Sequence, residues 1–540
     1  MSDARLLRSS SVMAAGTIAS RFTGLFKNVA LIAAVGTGVF ADTYSVANML
    51  PTVVYTLFIG GAINAVFVPQ LVRQMKDDDD GGDAYAHRLV TAVGLGLLVL
   101  SVVAVLLAPL IVRLYSSGWN ARQIEVSTAF ARLMLPQIFF YGIFTVWSQV
   151  LNARGRFGIP MFAPIVNNLV VIASALAFLW VAGVGVTTRT VTEGEIALLG
   201  LGTTVGTVLQ AVVLVPVLRR TGFALRPRFD LRGHGLGKAW SLARWTIGLV
   251  LINQIGTLLV VRLATRANVD DATVQAGAAV YSNAFTVFML PQSVITVSIV
   301  TALLPQLSRW AHDGEWDVVR ERLAWALRTT SALLIPCAAV LVVFGAPIGV
   351  LLFGYGSAGF EGAQQLGLTV AAYAIGLPAF SAYYTLLRGY YAMEDTRTPT
   401  FNALLLNGVN VAIAYLTFPF IPARWRIPAL GLAYALSYWI ALVPLWYRLR
   451  RRLDGLQTPL VVRTLVRVTI ATTLSTAVAV LGYRLAAAAL DRPEQGWAIA
   501  VALVAGLVPG GLVYLGLSRA LRITELSRVV DLVLRRGSPS

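Results

Sequence analysis

The charged residues of this chain stand almost entirely between long apolar runs, and this spacing constrains the fold more than any other feature. A helix needs about 20 apolar residues to cross the hydrocarbon core of a membrane. The chain has about 14 runs of that length, so it is predicted to be an all-α integral membrane protein with about 14 transmembrane helices. The predicted spans are 10–36, 42–72, 89–116, 128–151, 160–183, 195–218, 240–266, 274–306, 324–353, 363–389, 399–420, 427–447, 462–487 and 496–519.

Composition and motifs exclude several classes of protein. Hydrophobic residues make up 57% of the chain and charged residues only 13%, about half the charged share of a soluble domain. The single cysteine, Cys337, allows neither a disulfide framework nor a cysteine metal site. The three histidines are dispersed, and no nucleophile elbow or phosphate-binding glycine loop is present. We therefore expect no catalytic residues, no metal and no cofactor, and a protein that is not an enzyme.

The net charge of +18 reports membrane topology rather than a nucleic-acid partner. Basic residues gather in alternate loops, as the positive-inside rule requires, and they are dense at 219–238 and at 448–452. Both termini are therefore predicted to be cytoplasmic in a multi-pass protein of the plasma membrane. The acidic run 77–80 is interpreted as a solvated loop, because four adjacent carboxylates lack the spacing of a calcium loop; an ion site is the alternative.

An internal repeat divides the chain into two halves. The segment FVPQLVR at 67–73 matches LLPQLSR at 303–309, and the Leu-Pro pair at 135–136 matches the pair at 377–378 with later proline and asparagine spacings preserved. Such repeats are typical of transporters built from two lobes. The repeat predicts an N-terminal six-helix lobe 1–220, a cytoplasmic linker 221–238, a C-terminal six-helix lobe 239–452, and a segment 453–540 with two additional transmembrane helices and a cytoplasmic amphipathic tail.

The first span is unusually polar. Small and polar residues recur every four positions on one face, and two cations lie in the same helix; they are Gly16, Ser20, Gly24 and Asn28, with Arg21 and Lys27. The small-residue stripe fits either close helix packing or the lining of a cavity. Two cations beside it indicate a cavity that attracts an anion, although either cation alone could extend to the interface.

Other residues in the spans suggest helix contacts and bending. Asp42 is expected to cap the second helix, with balance of the cations as the alternative. Arg262 and Arg266 are one turn apart, and interfacial anchoring is favoured for them. Bending is expected at glycines and prolines within the spans, which suits a protein that alternates between conformations; these are Pro51, Gly60, Gly61, Pro136, Pro291, Pro336 and Pro378.

Four motifs follow one another in the first part of the chain: SRFTGLFK at 20–27, AD at 41–42, ANMLP at 47–51 and AVFVP at 65–69. They resemble the MurJ (MviN) family of lipid II flippases, within the multidrug, oligosaccharidyl-lipid and polysaccharide exporter superfamily. The resemblance covers nearly the whole chain. It implies movement of the undecaprenyl-diphosphate-linked peptidoglycan precursor to the outer leaflet by alternating access, with lipid II and membrane lipids as partners and the cell-wall synthesis machinery as a candidate partner.

The resemblance also implies a cationic cavity for the diphosphate, and this chain departs from the family pattern there. Lys27 replaces a second arginine and loses its bidentate grip on phosphate, and Asn28 replaces a following acid. The basic pair expected after Pro51 is absent, with Tyr55 in that region, and Asn283 lies where an acidic-basic pair is expected. The expected substrate-binding residues are Arg21, Lys27, Asn28, Asp42, Asn48, Tyr55, Arg262 and Asn283, and the expected conformational residues are Gly24, Pro51, Gly60, Gly61 and Pro291.

Three functions from different classes fit a chain of this kind. The first is a lipid II flippase, with a carrier of another lipid-linked oligosaccharide as a close variant. The second is a multidrug exporter, which should have acidic cavity residues where this first helix is basic. The third is a membrane enzyme such as a polyprenol-dependent glycosyltransferase, which needs a catalytic loop that the short outer loops do not offer. The first function is favoured.

Overall fold

A computed structural model describes residues 3–60, 83–156, 158–221, 228, 236–270, 275–490 and 495–526. Within these ranges the chain is helical and contains no strand. The helices of the first part are α1 Asp3–Val35, α2 Val39–Tyr55, α3 Asp83–Leu106, α4 Ala108–Tyr115, α5 Ala121–Met134, α6 Gln137–Ala153, α7 Gly158–Ala182, α8 Glu193–Val212, α9 Val215–Arg220 and α10 Leu236–Asp270. The later helices are α11 Ala278–His312, α12 Trp316–Phe353, α13 Gly359–Ala374, α14 Leu377–Ala392, α15 Arg397–Thr417, α16 Ala423–Arg452, α17 Thr458–Ala488 and α18 Gly496–Ala520.

The prediction of an all-α membrane protein is confirmed. Among the described residues, 11 helices are long and apolar enough to cross a membrane, and two bent helix pairs bring the number to as many as 13. The predicted second span, 42–72, is described only in part: α2 has 17 residues, and residues 61–82 lie outside the described part of the chain. The number fourteen is therefore not confirmed.

Helix breaks follow only some of the prolines. α5 ends just before Pro136, and Pro378 is the second residue of α14, so bending predicted at these positions coincides with helix boundaries. α11 continues through Pro291 and α12 through Pro336. The sharper of the two recorded bends, 71° between α3 and α4, occurs at Leu107. Pro109 lies in the first turn of α4 and marks this break, although it was not among the predicted bending positions.

Contacts divide the chain into two compact units, residues 1–279 with 355–358, and residues 280–354 with 359–540. In the first unit, α1 packs on α7, α7 on α8, and α2 on α5, while α10 packs on α4 and α2. The repeat assigns α10 to the second lobe, whereas its contacts place it in the first unit. The lobe boundaries drawn from the repeat stay a prediction.

The second unit is built around α12 and α16. α12 packs on α13, α14 and α17, and α16 packs on α13, α14 and α15. Aromatic rings from α11, α13 and α16 meet in its core, where Phe288 stacks on Tyr373 at a centroid distance of 5.5 Å and Tyr373 meets Tyr434 edge-on at 5.4 Å. Each such ring pair stabilises the fold by about 0.5–1.5 kcal/mol beyond the contribution of the apolar area that it buries. α17 and α18, which lie outside the repeat, pack on each other and on α12.

The chain after α18 turns back onto α12 and α17. Arg522 adopts a left-handed conformation with a φ of 53°, and the amide of Ile523 donates to the carbonyl of Ser518 across 2.8 Å, which closes the helix end. Ile523 and Leu526 are buried against α12 and α17. The neighbouring Glu525 forms an ion pair with Arg328 of α12, with 3.3 Å between Oε1 and Nε, and their side chains are 7% and 17% exposed.

Replacing Glu525 by glutamine should lower the thermal midpoint of the purified protein by several degrees. The change leaves the Arg328 guanidinium enclosed without its counter-charge, which typically costs about 3–5 kcal/mol. The matched control is Glu125→Gln, because the Arg122–Glu125 pair is 44% and 67% exposed and such pairs contribute about 0–1 kcal/mol. An equal midpoint for Glu525→Gln and wild type, measured by differential scanning fluorimetry, would contradict this role of the ion pair.

Candidate functional site

The small-residue stripe of α1 packs against α7. A Cβ atom added at Gly16 would lie 3.0 Å from Met161 Cβ and from the ring of Phe162. The Asn168 amide donates to the carbonyl of Ser20 across 3.1 Å and to the hydroxyl of Thr23 across 2.9 Å. Close helix packing, one of the two interpretations of the stripe, is therefore the arrangement found here. Gly24 also faces this helix, since its added Cβ would be 3.6 Å from Asn168 Nδ2.

The two cations of α1 do not share a face. Arg21 is exposed, and Lys27 and Asn28 are half-buried. At about 100° per residue, Arg21 and Asn28 lie on nearly the same side of the helix, about 10 Å apart along its axis. Lys27 is rotated by about 120° from Arg21. Arg21 and Asn28 are thus on one side of α1, and Lys27 is on a neighbouring face.

Asp42 is fully buried, and protein donors occupy its carboxylate. Oδ2 accepts from Asn268 Nδ2 of α10 across 2.7 Å, and Oδ1 accepts from the backbone amide of Ala279, in the first turn of α11, across 2.8 Å. The Asn268 amide also reaches the carbonyl of Thr37 at 3.4 Å. Asp42 therefore links the first turn of α2 to the last turn of α10 and the first turn of α11.

The prediction that Asp42 caps its own helix is wrong. The N-cap residue of α2 is Gly38, and no side chain makes a capping hydrogen bond there. Asp42 lies in the first turn of the helix instead. The carboxylate caps another helix, α11, whose first N–H groups have no partners within that helix. Gly277 permits this approach, because a Cβ at that position would be 2.0 Å from Asp42 Oδ2.

Tyr55 stands at one end of a hydrogen-bonded chain that links α2, α6 and α8. Its hydroxyl donates to Thr145 Oγ1 across 2.9 Å, and its ring lies 6.2 Å from that of Tyr141. The Tyr141 hydroxyl donates to Gln137 Oε1 across 3.1 Å. The Gln137 amide in turn donates to Thr204 Oγ1 across 3.1 Å. Gln137 is fully buried, and these hydrogen bonds replace the ones that its side-chain amide makes to water in the unfolded chain.

The sequence analysis missed this network. Its members are spread over three helices, and only Tyr55 was singled out. The signal that could have found it is the regular spacing of polar residues on two faces: Gln137, Tyr141 and Thr145 are four residues apart on α6, and Thr203 and Thr207 are four apart on α8. Thr203 also bonds to the Tyr44 hydroxyl at 2.8 Å, which adds a second link from α2 to α8.

The end of α2 changes helix type. Pro51 is buried within α2, and after Tyr55 the backbone winds as a π-helical turn over Thr56–Gly60. Proline removes one backbone donor, and a π turn widens the helix, so this segment is the least regular part of α2. Gly60 is the last residue of the turn, and Gly61 lies outside the described residues. Asn48 lies one turn before Pro51 and is half-buried.

Arg262 is engaged at a helix end. Its Nη1 donates to the carbonyl of Leu114 across 2.8 Å, in the last turn of α4. One turn further along α10, Thr265 donates to the carbonyl of Tyr115 across 3.3 Å and accepts from the amide of Ser117 across 3.1 Å. A cation beside the carboxyl end of a helix is favourable. Arg262 therefore links α10 to α4, and its predicted anchoring at the membrane interface stays a prediction.

The remaining predicted residues fall elsewhere. Asn283 and Pro291 are half-buried residues of α11 and belong to the second unit. The structure thus places Arg21, Lys27, Asn28, Asp42, Asn48, Tyr55 and Arg262 in one unit but does not place Asn283 with them. The acidic run 77–80 and the end of the amphipathic tail, from residue 527 on, lie outside the described residues.

Comparisons with known proteins agree on one family. The sequence model described as "Lipid II flippase MurJ" matches residues 31–490. A "Probable lipid II flippase MurJ" of Rhizobium meliloti is 28% identical over 431 residues, which are 77% of this chain and 76% of the relative. The "Lipid II flippase MurJ" of Burkholderia cenocepacia is 27% identical over 424 residues, 77% of this chain and 78% of the relative. A "Probable lipid II flippase MurJ" of Bdellovibrio bacteriovorus is 26% identical over 533 residues, 97% and 96% of the two chains.

Solved structures share the fold. A structure titled "Lipid II flippase MurJ, inward closed conformation" superposes with a TM-score of 0.71 at 19% identity, over 94% of this chain and 97% of that one. An inward-facing multidrug resistance transporter of the MATE family gives a TM-score of 0.64 at 15% identity, over 81% and 96% of the two chains. Since the family's sequence model matches most of the chain, this protein belongs to the lipid II flippase MurJ family.

Proposed function

We propose that this protein moves lipid II, the undecaprenyl-diphosphate-linked peptidoglycan precursor, from the cytoplasmic to the outer leaflet of the plasma membrane. The observation that carries the proposal is the family match over residues 31–490, a range that takes in most of the membrane-spanning helices. The motif SRFTGLFK at 20–27 precedes that range and supplies the cations. Translocation makes and breaks no bond, so the protein needs binding groups and two conformations rather than a catalytic site.

The diphosphate is assigned to α1. Arg21 is exposed and carries a planar guanidinium that matches two phosphate oxygens at once. Asn28 on the same face adds an amide donor, and Lys27 adds a point charge that needs no fixed geometry. Asn48, Asn283 and the hydroxyl oxygen of Tyr55, which can still accept a hydrogen bond, are polar groups suited to sugar hydroxyls. Both carboxylate oxygens of Asp42 accept from protein donors, so Asp42 is assigned to positioning helices. Arg262 is assigned to the same role because its Nη1 donates to the carbonyl of Leu114.

The termini are assigned to the cytoplasm by the distribution of basic residues. The inner ends of α14 and α16 then meet in a loop held by Asp395, which accepts from the amide and hydroxyl of Thr398 and pairs with Arg452. Lipid II enters the protein from this cytoplasmic side. Alternation of the two conformations is assigned to bending at irregular helix segments, chiefly Pro51 and the π turn after α2.

A depletion experiment tests the function. The native lipid II flippase of a bacterium is depleted, this chain is expressed in its place, and externally accessible lipid II is measured. Rescue of growth together with lipid II at the outer face supports the proposal. A chain that is inserted in the membrane but leaves lipid II inside contradicts it, and a carrier of another lipid-linked oligosaccharide then becomes the better assignment. The MATE likeness extends to the fold alone and does not favour drug export.

A further inference from the structure

A cation on α14 has no counter-charge among the described residues of the chain. Arg388 lies four residues before the end of α14 at Ala392, and its guanidinium carbon is 4.3 Å from the ring centroid of Tyr384 and 5.7 Å from that of Tyr391. The side chain is half-buried, and its Nε is enclosed without a hydrogen-bond partner. A buried donor of a charged group costs free energy when it is unpaired, so the position of Arg388 needs a functional explanation such as ligand binding.

The acidic residues that follow α14 do not neutralise Arg388. Asp395 is committed to Thr398 and Arg452. Burial raises the pKa of Asp395, but the hydrogen bonds from Thr398 and the charge of Arg452 outweigh burial and lower the pKa below its ordinary value. The carboxylate therefore stays ionised and bound to its own partners. Glu394 is exposed and stands in a left-handed turn. Among the residues that the structure describes, Arg388 therefore forms no ion pair.

Arg388 is also not part of the apolar core of α14. The core face of this helix carries Tyr383, Leu386 and Tyr390, and the Tyr390 hydroxyl donates to the carbonyl of Leu445. Arg388 lies two turns after Ser381 on the same side of the helix, and the Ser381 hydroxyl meets Thr296 of α11 at 2.8 Å. The arginine thus continues a polar face of α14 that runs beside α11.

We propose that Arg388, framed by Tyr384 and Tyr391, is an anion site that takes the phosphate group of a polyprenyl phosphate or diphosphate at the inner end of α14. The identity of the lipid and the inner location rest on the proposed function; the shared chemistry is a phosphate or diphosphate. The tyrosine rings hold the guanidinium plane and leave its η nitrogens for two parallel hydrogen bonds to phosphate oxygens. The site belongs to the second unit and meets the headgroup on the cytoplasmic side.

Binding to the purified full-length protein tests the site. Affinity is measured by microscale thermophoresis in detergent for three probes: undecaprenyl diphosphate, undecaprenol and inorganic pyrophosphate. Arg388→Gln should weaken undecaprenyl diphosphate binding about 10-fold, the usual effect of losing charge-assisted hydrogen bonds, and leave undecaprenol unchanged. The matched control is Arg424→Gln, because Arg424 also lies over a ring, that of Trp425 at 5.2 Å, but at the opposite end of its unit's helices, where α16 begins.

Two further measurements separate binding from packing. The thermal midpoint of Arg388→Gln should be no lower than that of wild type, since the change removes an unpaired enclosed donor. Arg388→Lys keeps the charge but loses the stacked plane, and should bind with intermediate affinity. Unchanged undecaprenyl diphosphate affinity in Arg388→Gln, with or without a lower midpoint, would overturn the proposal.

Pyrophosphate distinguishes the source of the ligand. A loss confined to undecaprenyl diphosphate supports a lipid headgroup, whereas an equal loss for inorganic pyrophosphate supports a site that takes soluble phosphate as well. The outcome is independent of the flipping assay. If the chain failed to expose lipid II in cells while Arg388→Gln still lost pyrophosphate binding, the anion site would stand and the proposed function would fall.

Discussion

Replacing Asp42 by alanine should cause a large loss of stability. The carboxylate is fully buried and receives hydrogen bonds from Asn268 and from the amide of Ala279. Its removal takes an acceptor from the Ala279 amide and one from the Asn268 amide, at about 1–3 kcal/mol each, so the expected cost is about 2–6 kcal/mol. The measurement is the thermal midpoint of the purified protein, read beside its membrane expression level.

A double-mutant cycle separates this contact from a general effect of substitution in a packed region. Asn268→Ala alone leaves Asp42 with one unused oxygen, and the double variant should lose less stability than the sum of the two single changes. Additive losses would show that Asp42 and Asn268 do not act together. Gly277→Ala provides an independent check, because its Cβ would press on the same carboxylate and should also be destabilising.

Replacing Arg21 by alanine should reduce lipid II exposure at least about 10-fold while leaving the protein inserted and folded. Arg21 is exposed on α1, so its removal opens no cavity, and a charge-assisted contact to phosphate is commonly worth about 1.5–3 kcal/mol. The measurement is externally accessible lipid II after depletion of the native flippase. Arg21→Lys should retain part of the activity, because the charge remains but the bidentate geometry is lost.

The matched control for Arg21 is Arg484→Ala. Arg484 is likewise an exposed arginine on a membrane helix, but it lies on α17, outside the repeat. It should rescue as well as wild type. Wild-type lipid II exposure by an inserted Arg21→Ala variant would remove α1 from the binding path, and equal losses for both arginines would point to a general effect of positive charge.

The sequence predicted the helices because each apolar run is long enough to settle the choice between helix and strand. The lengths of the apolar runs do not record where a helix bends. The helix breaks at Leu107 between α3 and α4, and Pro109 in the first turn of α4 was the signal that the prediction did not use. The π turn after Tyr55 was also not predicted, although Pro51 gave the correct region. Such breaks depend on which neighbour the backbone packs against.

The candidate site was predictable in its chemistry and less so in its geometry. Arg21, Lys27 and Asn28 were recognised from their residue types in an apolar helix. The role of Asp42 could not be, because its partner Asn268 is 226 residues away and nothing local marks the pair. Arg388 was not among the predicted residues. Its tyrosines at spacings of four and three were a signal that the sequence did contain.

The short turn Gly356–Ala358 has a consequence for synthesis at the ribosome. It belongs to the first unit, where the Ser357 hydroxyl donates to the carbonyl of Ala34 across 3.0 Å and Gly356 fits against Ala33. Both of its flanking helices belong to the second unit. The end of α1 therefore gains this partner only after α11 and α12 have been translated and inserted, so the first unit is completed late, and a chain that stops before this turn leaves its earliest helix without that contact.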